Sequence, residues 1–90
     1  MNAVLMQFSE EEVTNIILKN IFELTYKKVS SVDEELVDSG ILTSITMVEL
    51  AVALEKALSV SISFMEINKE NFKSITTIKK LIQKITQYVF

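Results

Sequence analysis

The stretch Leu36-Val37-Asp38-Ser39-Gly40-Ile41-Leu42-Thr43-Ser44-Ile45-Thr46-Met47-Val48-Glu49-Leu50-Ala51-Val52-Ala53-Leu54-Glu55 decides how this chain folds. Its first eight residues end a long connection, and from Ser44 the pattern turns helical and continues to Leu58. Gly40 is the one position free to take a positive φ at little cost, which suits the bend needed to present Ser44. Advancing 100° per residue from Ser44, Met47, Leu50, Ala51, Leu54 and Leu58 gather on one side, the core face. Ile45, Val48 and Val52 gather on a second side, next to Glu49 and Lys56. A helix that served only the core would keep that second side polar. Two readings are open: the aliphatic side meets a partner, or the preceding connection covers it through Ile41 or Leu42.

Working outward, the spacing predicts a first helix over Glu10 to Lys27. Ser9 and Glu12 have capping-box spacing, and Glu10, Glu11 and Glu12 put negative charge at the positive end of the helix dipole. Val13, Ile16, Ile17, Ile21 and Leu24 form one stripe, widened by Leu18 and Phe22. Residues 28–43 form a connection long enough to suggest function. Its apolar residues Val29, Val32, Leu36, Val37, Ile41 and Leu42 are expected to pin it across the helices. After a turn at Ser59–Ser63, Ser63 and Glu66 repeat the capping-box spacing over a short helical piece, Phe64 to Asn71. Ser74 caps a last helix, Ile75 to Tyr88, with Ile75, Ile78, Leu81, Ile82, Ile85 and Val89 on its core stripe. Lys79, Lys80 and Lys84 lie towards solvent.

Proline is absent and glycine occurs once, too few turn residues for a sheet-rich domain. The expected fold is all-α, a small bundle of three long helices plus one short one. Ninety residues make one domain with one core. The absence of cysteine excludes disulfides and thiolate metal sites, and the absence of histidine removes the usual general base near neutral pH. No catalytic constellation of carboxylates appears, so an enzyme is not expected. Residues 1–66 hold four lysines against eleven acids, whereas residues 67–90 hold five lysines against one. The basic part lacks arginine and any stacking-aromatic pattern, which argues against nucleic acid. No apolar run is long enough to span a bilayer, and Met1 to Phe8 lacks the features of a signal peptide. The default location is the cytoplasm, with no membrane insertion, and a monomer is the simplest assembly.

A hydroxyl at the first turn of a helix is by itself an ordinary cap. Behind Gly40, and ahead of Ile45 through Glu55, Ser44 resembles the attachment serine of acyl and peptidyl carrier proteins. The resemblance covers about residues 9–88 and is densest from Leu36 to Leu58. A second stretch, Ile62 to Ile75 with Asn71-Phe72-Lys73-Ser74-Ile75, is similar to the third-helix region of the peptidyl and specialised-pathway branches. The resemblance implies a 4′-phosphopantetheine arm joined covalently to Ser44, carrying an acyl or amino-acyl group as a thioester. It implies partner contacts at Thr43, Ile45, Val48, Glu49 and Val52. It also implies three kinds of partner: a phosphopantetheinyl transferase, an acyl-loading ligase or adenylating enzyme, and a downstream acyltransferase or synthase. Ser39, before Gly40, is the nearest rival attachment site.

Two departures stand out. The usual aspartate-serine-leucine signature reads Thr43-Ser44-Ile45 here, so a charge that normally faces the arm-transferring enzyme is gone. Thr46 and Lys56 stand where acids are frequent, while Glu49 and Glu55 remain. Charges steer encounters and reject wrong partners, so the altered set suggests a specialised pathway rather than bulk fatty-acid synthesis. The alternative reading is an unmodified, carrier-like helical interaction module.

Overall fold

The α1 helix, Glu10–Thr25, begins where its cap demands. The Ser9 N–H donates to the Glu12 carboxylate at 2.8 Å, and the Glu12 N–H donates to the Ser9 hydroxyl at 3.1 Å. Two donors that the helix cannot satisfy internally are thereby paired. The helix ends two residues before Lys27. The Thr25 hydroxyl donates to the Ile21 carbonyl and accepts from the Lys27 N–H, drawing the backbone out of register. Tyr26 then takes a left-handed conformation and closes the helix through its N–H to the Phe22 carbonyl.

The structure is a computed structural model that describes residues 8–86. Among them every regular element is helical: α1, then α2 at Ser44–Leu58, a single 3-10 turn at Phe64–Glu66, and α3 at Ile75–Thr86. The expected end of the last helix at Tyr88, the packing of Val89 and the reading of Met1 to Gln7 lie outside the described residues. The short helical piece expected from Phe64 to Asn71 is confined to the 3-10 turn. Asn68 diverts the backbone there, its side-chain oxygen accepting the Asn71 N–H at 2.9 Å. Ser63 caps Met65 and not Glu66. The Glu66 carboxylate instead meets the Asn71 amide at 3.0 Å and Lys84 at 3.6 Å.

One core joins the elements. Val13, Ile17 and Ile21 of α1 meet Met47, Leu50, Ala51, Leu54 and Leu58 of α2 and Ile75, Ile78, Leu81 and Ile82 of α3. Leu36, Leu42, Ile62 and Phe72 enter it from the connections. The radius of gyration, 11.9 Å, is that of close packing around this core. Lys79 departs from expectation: its ammonium lies 3.0 Å from Glu10, its side chain is mostly covered, and it ties α3 to the start of α1. Lys80 and Lys84 are exposed as expected. No described helix is long and apolar enough to cross a membrane.

Candidate functional site: the start of α2

The connection between α1 and α2 is the longest irregular stretch described, yet it is fixed along its length. Leu36 and Leu42 are buried, Val29, Val37 and Ile41 pack partly against the core, and Val32 stays exposed. The Leu42 N–H donates to the Leu36 carbonyl at 2.8 Å, and the Leu36 N–H donates to the Lys73 carbonyl at 2.7 Å. The Thr76 N–H donates to the Val32 carbonyl at 3.0 Å, a second tie to the α3 side of the molecule. Glu35 holds the turn from within, its carboxylate accepting the Val37 and Ser39 N–H groups. Glu34 accepts the N–H and the hydroxyl of Ser30, which hold its carboxyl below the usual range. Asp38 pairs with Lys69 at 2.6 Å and, by hydrogen bond and charge, raises the lysine's pKa. Gly40 has φ +86°, a region that side chains disfavour, and sits four residues before Ser44.

These ties deliver the chain to the first turn of α2. Thr43, not Ser44, is the N-cap. The Thr46 N–H donates to the Thr43 hydroxyl at 3.2 Å, and the Thr43 N–H donates to the Thr46 hydroxyl at 2.7 Å. The result is a capping box in which threonine replaces the usual Glu or Gln. Ser44 is therefore released from capping. It is exposed, it is the first helical residue, and its hydroxyl has no hydrogen-bond partner among the described residues. Ser39 differs: it lies in the turn, and its hydroxyl accepts the Ile41 N–H at 3.4 Å.

The electrostatics of this helix end suit an anion. The first turn of α2 contains no acid, whereas that of α1 contains three. The positive end of the α2 dipole is not offset locally, and the capping box leaves the Ser44 and Ile45 N–H groups unused. A phosphodiester on the Ser44 oxygen would sit beside those donors. The residues present thus fit the arm implied by the sequence: an accessible nucleophilic oxygen, a donor-rich helix end and a stiff base.

The second aliphatic side of α2 is uncovered. Ile45, Val48 and Val52 are 73%, 39% and 43% exposed, so the connection does not cover them. Ile41 is half-buried and Leu42 is buried, both spent on the core. Glu49, next to Val48 on α2, is exposed. Glu55 is not a free surface acid, because it is half-buried and accepts the Ile62 N–H at 2.7 Å to fix the turn after α2. The sequence shows Thr46 as a missing acid; its threonine-to-threonine box with Thr43 has capping-box spacing but lacks the Glu or Gln that marks such a box. Two large apolar residues in the 3-10 turn, Phe64 and Met65, are also highly exposed, and the short-helix expectation gave no sign of it. Among the described residues no cluster of acids could hold a metal ion.

Residues 16–85 match the family of the phosphopantetheine attachment site. The chain is 34% identical over 77 residues to the D-alanyl carrier protein of Streptococcus mutans serotype c (strain ATCC 700610 / UA159), covering 84% of this chain and 94% of that one. No solved structure gives a significant match. The chain belongs to the phosphopantetheine-binding carrier proteins, and a covalently attached 4′-phosphopantetheine is its prosthetic group.

Proposed function

We propose that Ser44 carries the phosphopantetheine arm and that the chain, a single carrier domain, shuttles an acyl or amino-acyl thioester between biosynthetic enzymes. The observation that carries this is a hydroxyl freed from capping by its neighbour, exposed at a helix end that lacks acids. The arm supplies the sulfur; this chain supplies the oxygen to which the phosphate is joined, the N–H donors that stabilise it and a rigid helix beneath it. Tethering raises the cargo's effective concentration in each partner's active site, so the carrier itself needs no catalytic group. Its partners are a phosphopantetheinyl transferase, a loading ligase or adenylating enzyme, and a downstream acyltransferase or synthase. Ile45, Val48 and Val52, flanked by Glu49 and Thr43, form the surface these enzymes dock on. Similarity to a D-alanyl carrier protein supports an amino-acyl cargo as one option. The carrier works in the cytoplasm as a monomer.

Intact mass after co-expression with a promiscuous transferase tests the attachment. Wild type gains one phosphopantetheine, peptide mapping places it on Ser44, and Ser44→Ala gains nothing. An addition at Ser39, or none with any transferase including one from its own genome, overturns the assignment and leaves the unmodified interaction module.

Thr43 has two separable roles. Aspartate caps a helix at least as well as threonine and adds a favourable charge at the dipole's positive end. Thr43→Asp is therefore expected to keep the melting temperature within a few degrees and to speed arm transfer several-fold, followed as the initial rate of mass gain. Thr43→Ala loses the cap, at about 1 kcal/mol. If Thr43→Asp leaves the rate unchanged, charge at this position does not limit priming.

A further inference from the structure

A pocket of about 290 Å³ opens between the C-terminal half of α1 and the loop that follows, lined by Leu18, Lys19, Phe22, Lys27, Lys28 and Val29. Leu18 and Val29 are half-buried and the three lysines are exposed, so the pocket has an apolar interior and a cationic mouth. Residues 1–66 contain only four lysines against eleven acids, yet three of the four meet here and no acid lines the site. The ion pairs among the described residues use Lys69, Lys79 and Lys84, which leaves Lys19 and Lys28 without one. This positive spot in an acidic half is complementary to an anion.

The pocket lies within reach of Ser44. The Lys27 ammonium is 3.4 Å from the Gly40 carbonyl oxygen. The four residues from Gly40 to Ser44 span at most about 14 Å, so the Ser44 backbone is within about 18 Å of that ammonium. A phosphopantetheine on Ser44 puts about sixteen bonds between its Cα and the arm's sulfur, about 19 Å when extended at the same rise per bond. The volume matches roughly ten non-hydrogen atoms at the ~30 Å³ each that water occupies in the liquid.

We infer that this pocket receives the cargo carried on the arm, and that the cargo it fits is an acyl group with a short apolar stem ending in a carboxylate. The inference rests on attachment at Ser44 and narrows the cargo class. An amino-acyl group would bring an ammonium towards three like charges, whereas a carboxylate meets them with opposite sign and lays its stem on Leu18, Phe22 and Val29. The carrier would hold such a cargo against its own surface between encounters and release it when a partner docks.

The test loads the chain with three cargos of one stem and different ends: adipoyl, hexanoyl and ε-aminohexanoyl, each transferred with the arm from its coenzyme A thioester. Intact mass confirms loading, and the backbone amide NMR shifts of Leu18, Phe22 and Val29 are compared with the arm alone. Adipoyl is expected to move these amides, hexanoyl to move them less, and ε-aminohexanoyl to leave them at their unloaded positions. The double variant Lys19→Gln, Lys28→Gln, altered only at exposed positions, is expected to lose the adipoyl shifts. Equal shifts for adipoyl and ε-aminohexanoyl, or no shift with any cargo on a fully loaded chain, overturn the pocket while leaving Ser44 as the attachment site. A chain that never gains the arm overturns the attachment and the pocket together.

Discussion

Phe72→Ala is expected to lower stability by about 3–5 kcal/mol, the range for removing a buried aromatic from a packed core. Phe72 is 0% exposed and the largest of the fully buried side chains. A domain of this size has roughly 5–14 kcal/mol of stability in all. The melting temperature, followed by circular dichroism, should fall by roughly 15 °C or more. The damage should also travel. The next residue's carbonyl accepts the Leu36 N–H, and Thr76 holds the Val32 carbonyl, so the segment that Phe72 anchors braces the loop leading to Ser44. Hydrogen exchange at Leu36 and Leu42 should rise in the variant before global unfolding. Phe64→Ala is the internal control. That ring is 77% exposed, eight residues earlier, and its removal should change stability by no more than about 0.5 kcal/mol. If the two variants melt alike, Phe72 does not anchor the core in the way its burial indicates.

What was legible in the sequence follows from which interactions have a period. The core faces of α1, α2 and α3 came from apolar spacing, and the residues assigned to the α2 core face are all buried. The expected span of α2, roughly Ser44 to Leu58, agrees with the structure, where Thr43 caps its start and a left-handed Ser59 closes its end. Where side chains compete with the backbone, spacing was a poorer guide. Thr25 stops α1 short of Lys27, and Asn68 keeps Phe64–Asn71 from continuing as a helix. In both cases a single hydroxyl or amide outweighs a pattern built from many residues. Ser44 was legible as the exposed start of α2, but the arrangement around it was not. Sequence marked Ser44; only the geometry shows that Thr43 and Thr46 cap the helix between them and free it. Exposure of Ile45, Val48 and Val52 was open in the sequence, since nothing local fixes where a loop of some fifteen residues will lie. The lysine pocket was invisible because Lys19 sits on a helix and Lys27 and Lys28 in a loop, with no spacing to link them.

Val48→Asp is expected to weaken engagement by the arm-transferring enzyme by about 30-fold or more, the loss that accompanies removal of a central interface residue worth ~2 kcal/mol. Val48 lies between Ile45, one turn earlier, and Val52, one turn later, on the exposed side of α2. A carboxylate there would be buried without a partner on docking, a cost that a rim charge does not incur. The fold itself should hardly notice, because Val48 is already 39% exposed and makes no part of the core. The expected signature is a fall in kcat/KM for arm transfer with the melting temperature nearly unchanged. Val32→Asp supplies the comparison: it is the same substitution at a residue 36% exposed, but on the side of the loop that faces α3, where its carbonyl meets Thr76. Arm transfer to Val32→Asp should proceed at the wild-type rate. Equal rates for wild type, Val32→Asp and Val48→Asp, all folded, would remove the α2 aliphatics as the docking surface and leave recognition to Thr43, Glu49 and the loop around Gly40.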